Sequence, residues 1–84
     1  MVTVKLFGTL RLETGVKELQ LEAGSIRELI PLLCRELRRQ RPDCAVSEKD
    51  LRACLAAVNG VRATVRTKLR DGDVVTFFPA AAGG

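Results

Sequence analysis

The chain has no histidine, no tryptophan and no tyrosine. Imidazole acid–base chemistry and the commonest soft-metal ligand are thereby excluded. Its three cysteines, Cys34, Cys44 and Cys54, are odd in number and ten residues apart. That spacing fits neither a disulfide framework nor the short C-x-x-C pairs that grip zinc. They read as reduced, buried thiols, and no metal is expected. No apolar stretch approaches the eighteen or so residues of a membrane span. The opening M-V-T-V-K-L-F alternates, where a secretory leader would set a basic region before an apolar block. The expectation is a cytoplasmic protein with no membrane partner. Three phenylalanines carry all the aromatic area, so the core must be largely aliphatic.

What is present bounds the answer further. A chain of 84 residues makes one domain that buries about 60% of the surface its unfolded form exposes. With so thin a core it works by presenting surfaces. Its 46% apolar and 29% charged residues mark it as globular rather than disordered. The formal charge is +4, and C-R-E-L-R-R-Q-R from Cys34 to Arg41 sets four arginines against one glutamate, a local +3. A nucleic-acid surface would interleave such a patch with stacking aromatics or a binding motif, and neither occurs. The patch reads as a solvated helix face and no nucleic-acid partner is expected. An RNA-binding module acting through Arg35, Arg38 and Arg39 is the remote rival.

Hydrophobic periodicity places the elements. Val2, Val4 and Leu6 share one face of a strand, and Thr3, Lys5 and Phe7 the other. Gly8 to Gly15 reads as a turn region, after which K-E-L-Q-L-E places Leu19 and Leu21 on one face and closes a hairpin. Ser25 and Glu28 form a capping box that starts a helix at Ile26. Ile26, Leu29, Ile30, Leu33 and Leu37 then make one apolar stripe. Pro31 falls inside it and predicts a kink or a looser middle turn. Pro42 to Glu48 is connection, followed by a short helical turn. Asn59-Gly60 supplies two positive-φ positions, so Leu55 to Val58 and Val61 onward should pair as a hairpin. Arg70-Asp71-Gly72-Asp73 is a turn whose acids are turn residues rather than catalysts, and it launches the near-continuous apolar V-V-T-F-F of a central strand.

One helix covers one face only, and a long crossover lets the last strand lie parallel beside the first. The predicted class is α+β, a β-grasp, ubiquitin-like arrangement: a mixed sheet of four to five strands with one main helix packed on one face. Residues 1–78 form the domain and 79–84 an extended tail. Phe77 and Phe78 are adjacent in a strand and must point to opposite faces. Phe77 is assigned to the core and Phe78, with Thr76, to the open face. Phe7 falls opposite Val2, Val4 and Leu6, so Phe7 and Phe78 should form an exposed aromatic patch beside the tail, the kind of surface a partner covers.

The tail itself is P-A-A-A-G-G. Six extended residues reach about 20 Å. Pro79 stiffens the exit, Ala80, Ala81 and Ala82 add little bulk, and Gly83 and Gly84 lack Cβ atoms. A terminal carboxylate on such a tail can thread a narrow channel in a neighbouring enzyme. It is unreactive as an ionised acid, but an acyl-adenylate gives it a leaving group and permits acyl transfer.

V-N-G at Val58 to Gly60, L-R-D-G-D-V-V-T-F-F-P from Leu69 to Pro79 and the closing Gly-Gly together resemble the MoaD/ThiS sulfur carriers. V-K-L-F-G-T-L-R at Val4 to Arg11 and G-S-I-R-E-L at Gly24 to Leu29 extend the resemblance over nearly the whole chain. Within that family it is most similar to the branch that serves as the small subunit of molybdopterin synthase. The resemblance implies a β-grasp carrier that binds no cofactor and has no active site of its own. It further implies that an E1-like adenylating enzyme uses ATP to activate Gly84, and that a sulfurtransferase system converts it to a thiocarboxylate. The tail would then enter the large subunit of the synthase and deliver sulfur to a pterin precursor in molybdenum cofactor biosynthesis. Gly83 gives access to the partner's channel, and Phe7 and Phe78 match the aromatic partner-contact region. Pro79, Ala80, Ala81 and Ala82 are the partner-binding residues of the tail, with Ala80 and Ala81 standing where the family often has a second proline and a larger residue. Sulfur carriers for cysteine or thiamine biosynthesis share these features, as do relatives that act as ubiquitin-like protein modifiers.

Overall fold

A computed structural model describes residues 1–79 of the chain. Five strands, β1 (Val2–Leu6), β2 (Glu18–Leu21), β3 (Leu55–Val58), β4 (Val61–Ala63) and β5 (Val74–Phe78), form one sheet in the order β2-β1-β5-β3-β4. β1 and β5 pair in parallel at its centre, and the other three pairings are antiparallel. The mixed β-grasp sheet predicted from the sequence is therefore present, with β5 central. Three helices, α1 (Thr9–Thr14), α2 (Ile26–Gln40) and α3 (Glu48–Ala53), complete the fold.

Period-two alternation sends Val2, Val4 and Leu6 of β1 and Val75 and Phe77 of β5 to one side of the sheet, where all five are buried. The stripe of α2 meets them there: Ile26, Leu29, Ile30, Leu33, Cys34 and Leu37 are all buried. Ser25 Oγ accepts a hydrogen bond from the Glu28 N–H at 3.2 Å, capping the helix as expected. The reciprocal half differs, because the Glu28 carboxylate accepts from the Gly24 N–H at 3.1 Å rather than from Ser25. α2 runs unbroken from Ile26 to Gln40 through Pro31, so the kink expected there does not divide it. Pro31 is exposed, and its missing N–H deprives only the Arg27 carbonyl, while the stripe stays in phase on both sides.

The stretch from Gly8 to Gly15, predicted as a turn region, contains the short helix α1. Gly8, at φ 61°, turns the chain out of β1, and Gly15, at φ 70°, ends the helix by donating its N–H to the Arg11 carbonyl at 2.9 Å. Thr14 is fully buried and its hydroxyl donates to the Leu10 carbonyl at 2.7 Å. Six residues span less than two turns, too few for periodicity to announce a helix.

The cysteines form no disulfide; Cys34 is buried, but Cys44 and Cys54 are only half-buried, which corrects the expectation of three buried thiols. Arg35, Arg38, Arg39 and Arg41 are all exposed, as a solvated face requires. Arg39 forms a forked ion pair with Glu36, its Nη2 lying 2.5 Å from the carboxylate.

Candidate functional site

The site lies where β5 ends. The parallel register sets Leu6 beside Phe77, and the Phe7 N–H donates to the Phe77 carbonyl at 3.1 Å, carrying the pairing one residue further. Phe77 is 1% exposed and fills the core. Phe7 and Phe78 point to the opposite, helix-free face, where their rings stack with centroids 5.4 Å apart and planes at 20°. They stay 39% and 42% exposed, so each ring shields part of the other and both remain open to a partner. The parity argument placed all three phenylalanines correctly.

Two further residues belong here that sequence reasoning did not assign to the site. Leu55 sits opposite Phe78 in the β3–β5 register and is 40% exposed, so it extends the aromatic pair into an apolar row across three strands. Its strand was legible, but its position in the row depends on how β3 registers against β5. Gly8 is the second. A Cβ built on it would stand 3.0 Å from Cγ and 3.2 Å from Cδ of Pro79, at a backbone conformation L side chains rarely adopt. Gly8 thus lets the Pro79 ring lie against the chain as it leaves β1. The half-buried Pro79 fixes the direction in which the polypeptide leaves the sheet.

Beside Phe7, a cavity of about 100 Å³ is walled by Lys5, Leu6, Arg11, Lys17 and Glu18. Three cations against one acid make the border of the apolar row positive, which favours an acidic partner surface. The predicted tail residues Ala80, Ala81, Ala82, Gly83 and Gly84 lie outside the described residues.

The acids that most resemble a catalytic pair have structural partners. Asp73 accepts from the Arg70 N–H at 2.8 Å and from Asn59 Nδ2 at 2.9 Å, and these bonds hold its carboxyl below the usual carboxylate range. Asp71 pairs with the amino group of Met1. Among the described residues no three His, Cys, Asp or Glu side chains cluster closely enough to hold a metal ion. No helix among them is long and apolar enough to cross a membrane. What the described geometry offers is an apolar docking row at the root of the tail.

A sequence model described as the ThiS family matches residues 4–84. Comparison with curated proteins gives no significant match. Among solved structures, the chain is similar to a protein described as molybdopterin converting factor, subunit 1, from Pyrococcus furiosus. Identity is 30%, 93% of this chain and 94% of that one are covered, and the TM-score is 0.61. It is similar at 28% identity to a chain of the BexX/CysO complex from Amycolatopsis orientalis, with both chains covered in full and a TM-score of 0.71. In the complex of subunits 1 and 2 of the molybdopterin-converting factor from Helicobacter pylori 26695, a chain matches at 25% identity. There 99% of this chain and 97% of that one are covered, with a TM-score of 0.60. The family match runs from Val4, within the first strand, through the aromatic row to the Gly-Gly ending, and the structural similarity agrees with it: the chain belongs to the ThiS family of β-grasp, ubiquitin-like sulfur carriers.

Proposed function

We propose that this protein carries sulfur as a thiocarboxylate on Gly84 and acts as the small subunit of a molybdopterin synthase. The observation that carries this reading is the exposed Phe7–Phe78 stack at the root of the tail. Held there, a partner enzyme receives Pro79 already aimed outward, and the small residues after it can follow into a channel. An E1-like enzyme joins the Gly84 carboxylate to AMP, releasing pyrophosphate from ATP. A sulfurtransferase system then displaces AMP with sulfur, and the large subunit receives the loaded tail for transfer to the pterin precursor. The carrier supplies position and a leaving-group site; ATP and the catalytic groups belong to its partners. Two of the similar structures are complexes with a second protein, which supports a protein partner for this chain.

The test is intact-mass analysis after incubation with an activating enzyme, ATP and a sulfur donor. The expected result is the exchange of one oxygen for one sulfur at Gly84, followed by sulfur transfer to the pterin precursor once the large subunit is added. An unchanged mass, under conditions that load an authentic carrier, would sink the proposal.

A second reading keeps the chemistry and changes the acceptor. Similarity over the full chain to a member of the BexX/CysO complex favours it. A loaded carrier that gives no product with the pterin precursor, but transfers sulfur to a different small-molecule acceptor, would decide for this alternative.

A further inference from the structure

Asn59 is the only asparagine in the chain, and a glycine follows it. The two occupy the turn between β3 and β4, with φ of 51° and 84°. Gly60 has no side chain to shield its backbone nitrogen, so the Asn59 side chain has an unhindered nucleophile next to it.

The Asn59 side chain does more than turn the hairpin. Its Oδ1 accepts from the Val74 N–H at 2.9 Å and its Nδ2 donates to Asp73 Oδ1 at 2.9 Å. The Asn59 N–H also donates to the Val74 carbonyl at 2.8 Å. Three hydrogen bonds therefore clasp the β3–β4 turn to the start of β5. The primary amide donates to the Asp73 carboxylate and accepts from Val74 at once; a carboxylate in its place has no proton to give.

We propose that Asn59–Gly60 is a self-modification site, and that its conversion opens this clasp irreversibly. The Gly60 nitrogen attacks the side-chain carbonyl carbon of Asn59. The new C–N bond forms as the bond to Nδ2 breaks, and ammonia leaves with the proton from the Gly60 amide. Water then opens the five-membered imide at either carbonyl, giving aspartate or isoaspartate. One water is consumed, one ammonia is released, and nothing is oxidised or reduced.

Either product is incompatible with the clasp. An aspartate places two carboxylates where a 2.9 Å hydrogen bond stood, and like charges at that distance repel. An isoaspartate adds a methylene to the backbone of a two-residue turn whose geometry sets the strand pairing. Both products weaken the β3–β5 ladder, whose other end sets Leu55 opposite Phe78. In the folded chain both ends of the amide are held, so attack requires the turn to open, and the rate follows the opened population. The site is independent of the sulfur-carrier reading.

The full chain is aged in mildly alkaline buffer, with and without urea, and followed by intact mass and peptide mapping. A gain of one mass unit is expected on the peptide carrying position 59, at least about tenfold faster in urea, as opening control requires. No gain in urea, or equal rates in the two buffers, overturns the proposal. Asn59→Asp is expected to lower the thermal midpoint by about 4–8 °C, the response of a domain this size to the loss of one such interaction. Adding Asp73→Asn exchanges the partners, since the new amide can donate to position 59 while its oxygen still accepts from the Arg70 N–H. The exchanged variant should recover most of the loss, and remains informative if Asn59→Asp alone does not fold. A single variant as stable as the parent, or an exchanged variant no better than the single, refutes the clasp.

Discussion

At the scale of single residues, two neighbours on one strand do opposite work. Phe77 is buried against α2 and Phe78 is exposed on the other face. Phe77→Ala should cost about 3–5 kcal/mol of stability, the usual penalty for emptying a buried aromatic site. Phe78→Ala should cost less than about 1 kcal/mol of stability yet weaken partner binding by about 2 kcal/mol or more, as loss of an interface anchor does. Denaturation midpoints set beside titration calorimetry against the large subunit check both halves. Equal stability losses would overturn the division. The split was legible because strand parity is strict. Gly8 was not, because what it accommodates, the ring of Pro79, lies 71 residues along the chain. Gly8→Ala, at a mirror-image backbone conformation, is expected to cost about 1–3 kcal/mol. It should also lower partner affinity through the displaced Pro79, so the two measurements move together, unlike those for Phe78→Ala.

Among the elements, the long and strongly periodic ones were legible and the short ones were not. α2 was readable from its stripe and its serine cap, and β5 from its apolar run. α1 was missed because Thr9–Thr14 hides one buried leucine and one buried threonine between two glycines. Thr14 looks polar in sequence, but its hydroxyl is satisfied inside the helix at Leu10, so burial carries no unpaired group. Pro31 does not divide the helix, in line with the unbroken phase of the stripe: α2 absorbs it by leaving one carbonyl, that of Arg27, without its helical donor. Pro31→Ala restores that donor and should stabilise the domain by about 1–3 kcal/mol, read from chemical denaturation. On the same helix, hydrogen bonds from Arg39 and then Gln40 hold the Glu36 carboxyl down, from an ordinary 4.5 to about 2. A carboxyl lowered on folding stabilises the native state above its unfolded value, and the contribution fades as pH falls through the folded one. The Asp73 and Asp50 carboxyls, lowered by backbone donors from Arg70 and Ser47, act in the same sense. Stability should therefore be flat near neutrality and decline between pH 4.5 and about 2. Glu36→Gln should flatten that decline, as thermal melts across the range would show.

For the whole molecule, the proposed function separates the part of the chain that folds from the part that delivers. Among the described residues every buried apolar side chain lies between Val2 and Phe77, and the strand order that sets β5 at the centre runs to Phe78. The tail root therefore emerges from the middle of the sheet, where β1 and β3 flank β5 and hold it at a fixed angle to the apolar row. Sequence order gave this topology, because a crossover connection from the first strand to the last favours a parallel neighbour. It could not give the register of β3 on β5, which sets Leu55 opposite Phe78 across a connection that runs through β4 and residues 64–73. If the division is right, removing residues 80–84 leaves the denaturation midpoint within about 0.5 kcal/mol of the parent, as expected of a change outside the core. The truncated chain should still compete with the intact one for the large subunit, since Phe7, Phe78 and Leu55 remain. It should gain no sulfur from the activating enzyme, because the carboxylate would then sit on Pro79, too close to the sheet to reach a recessed centre. Competition without loading is the outcome that separates a docking row from a reactive terminus; loss of both together would mean that the tail supplies the affinity as well as the chemistry.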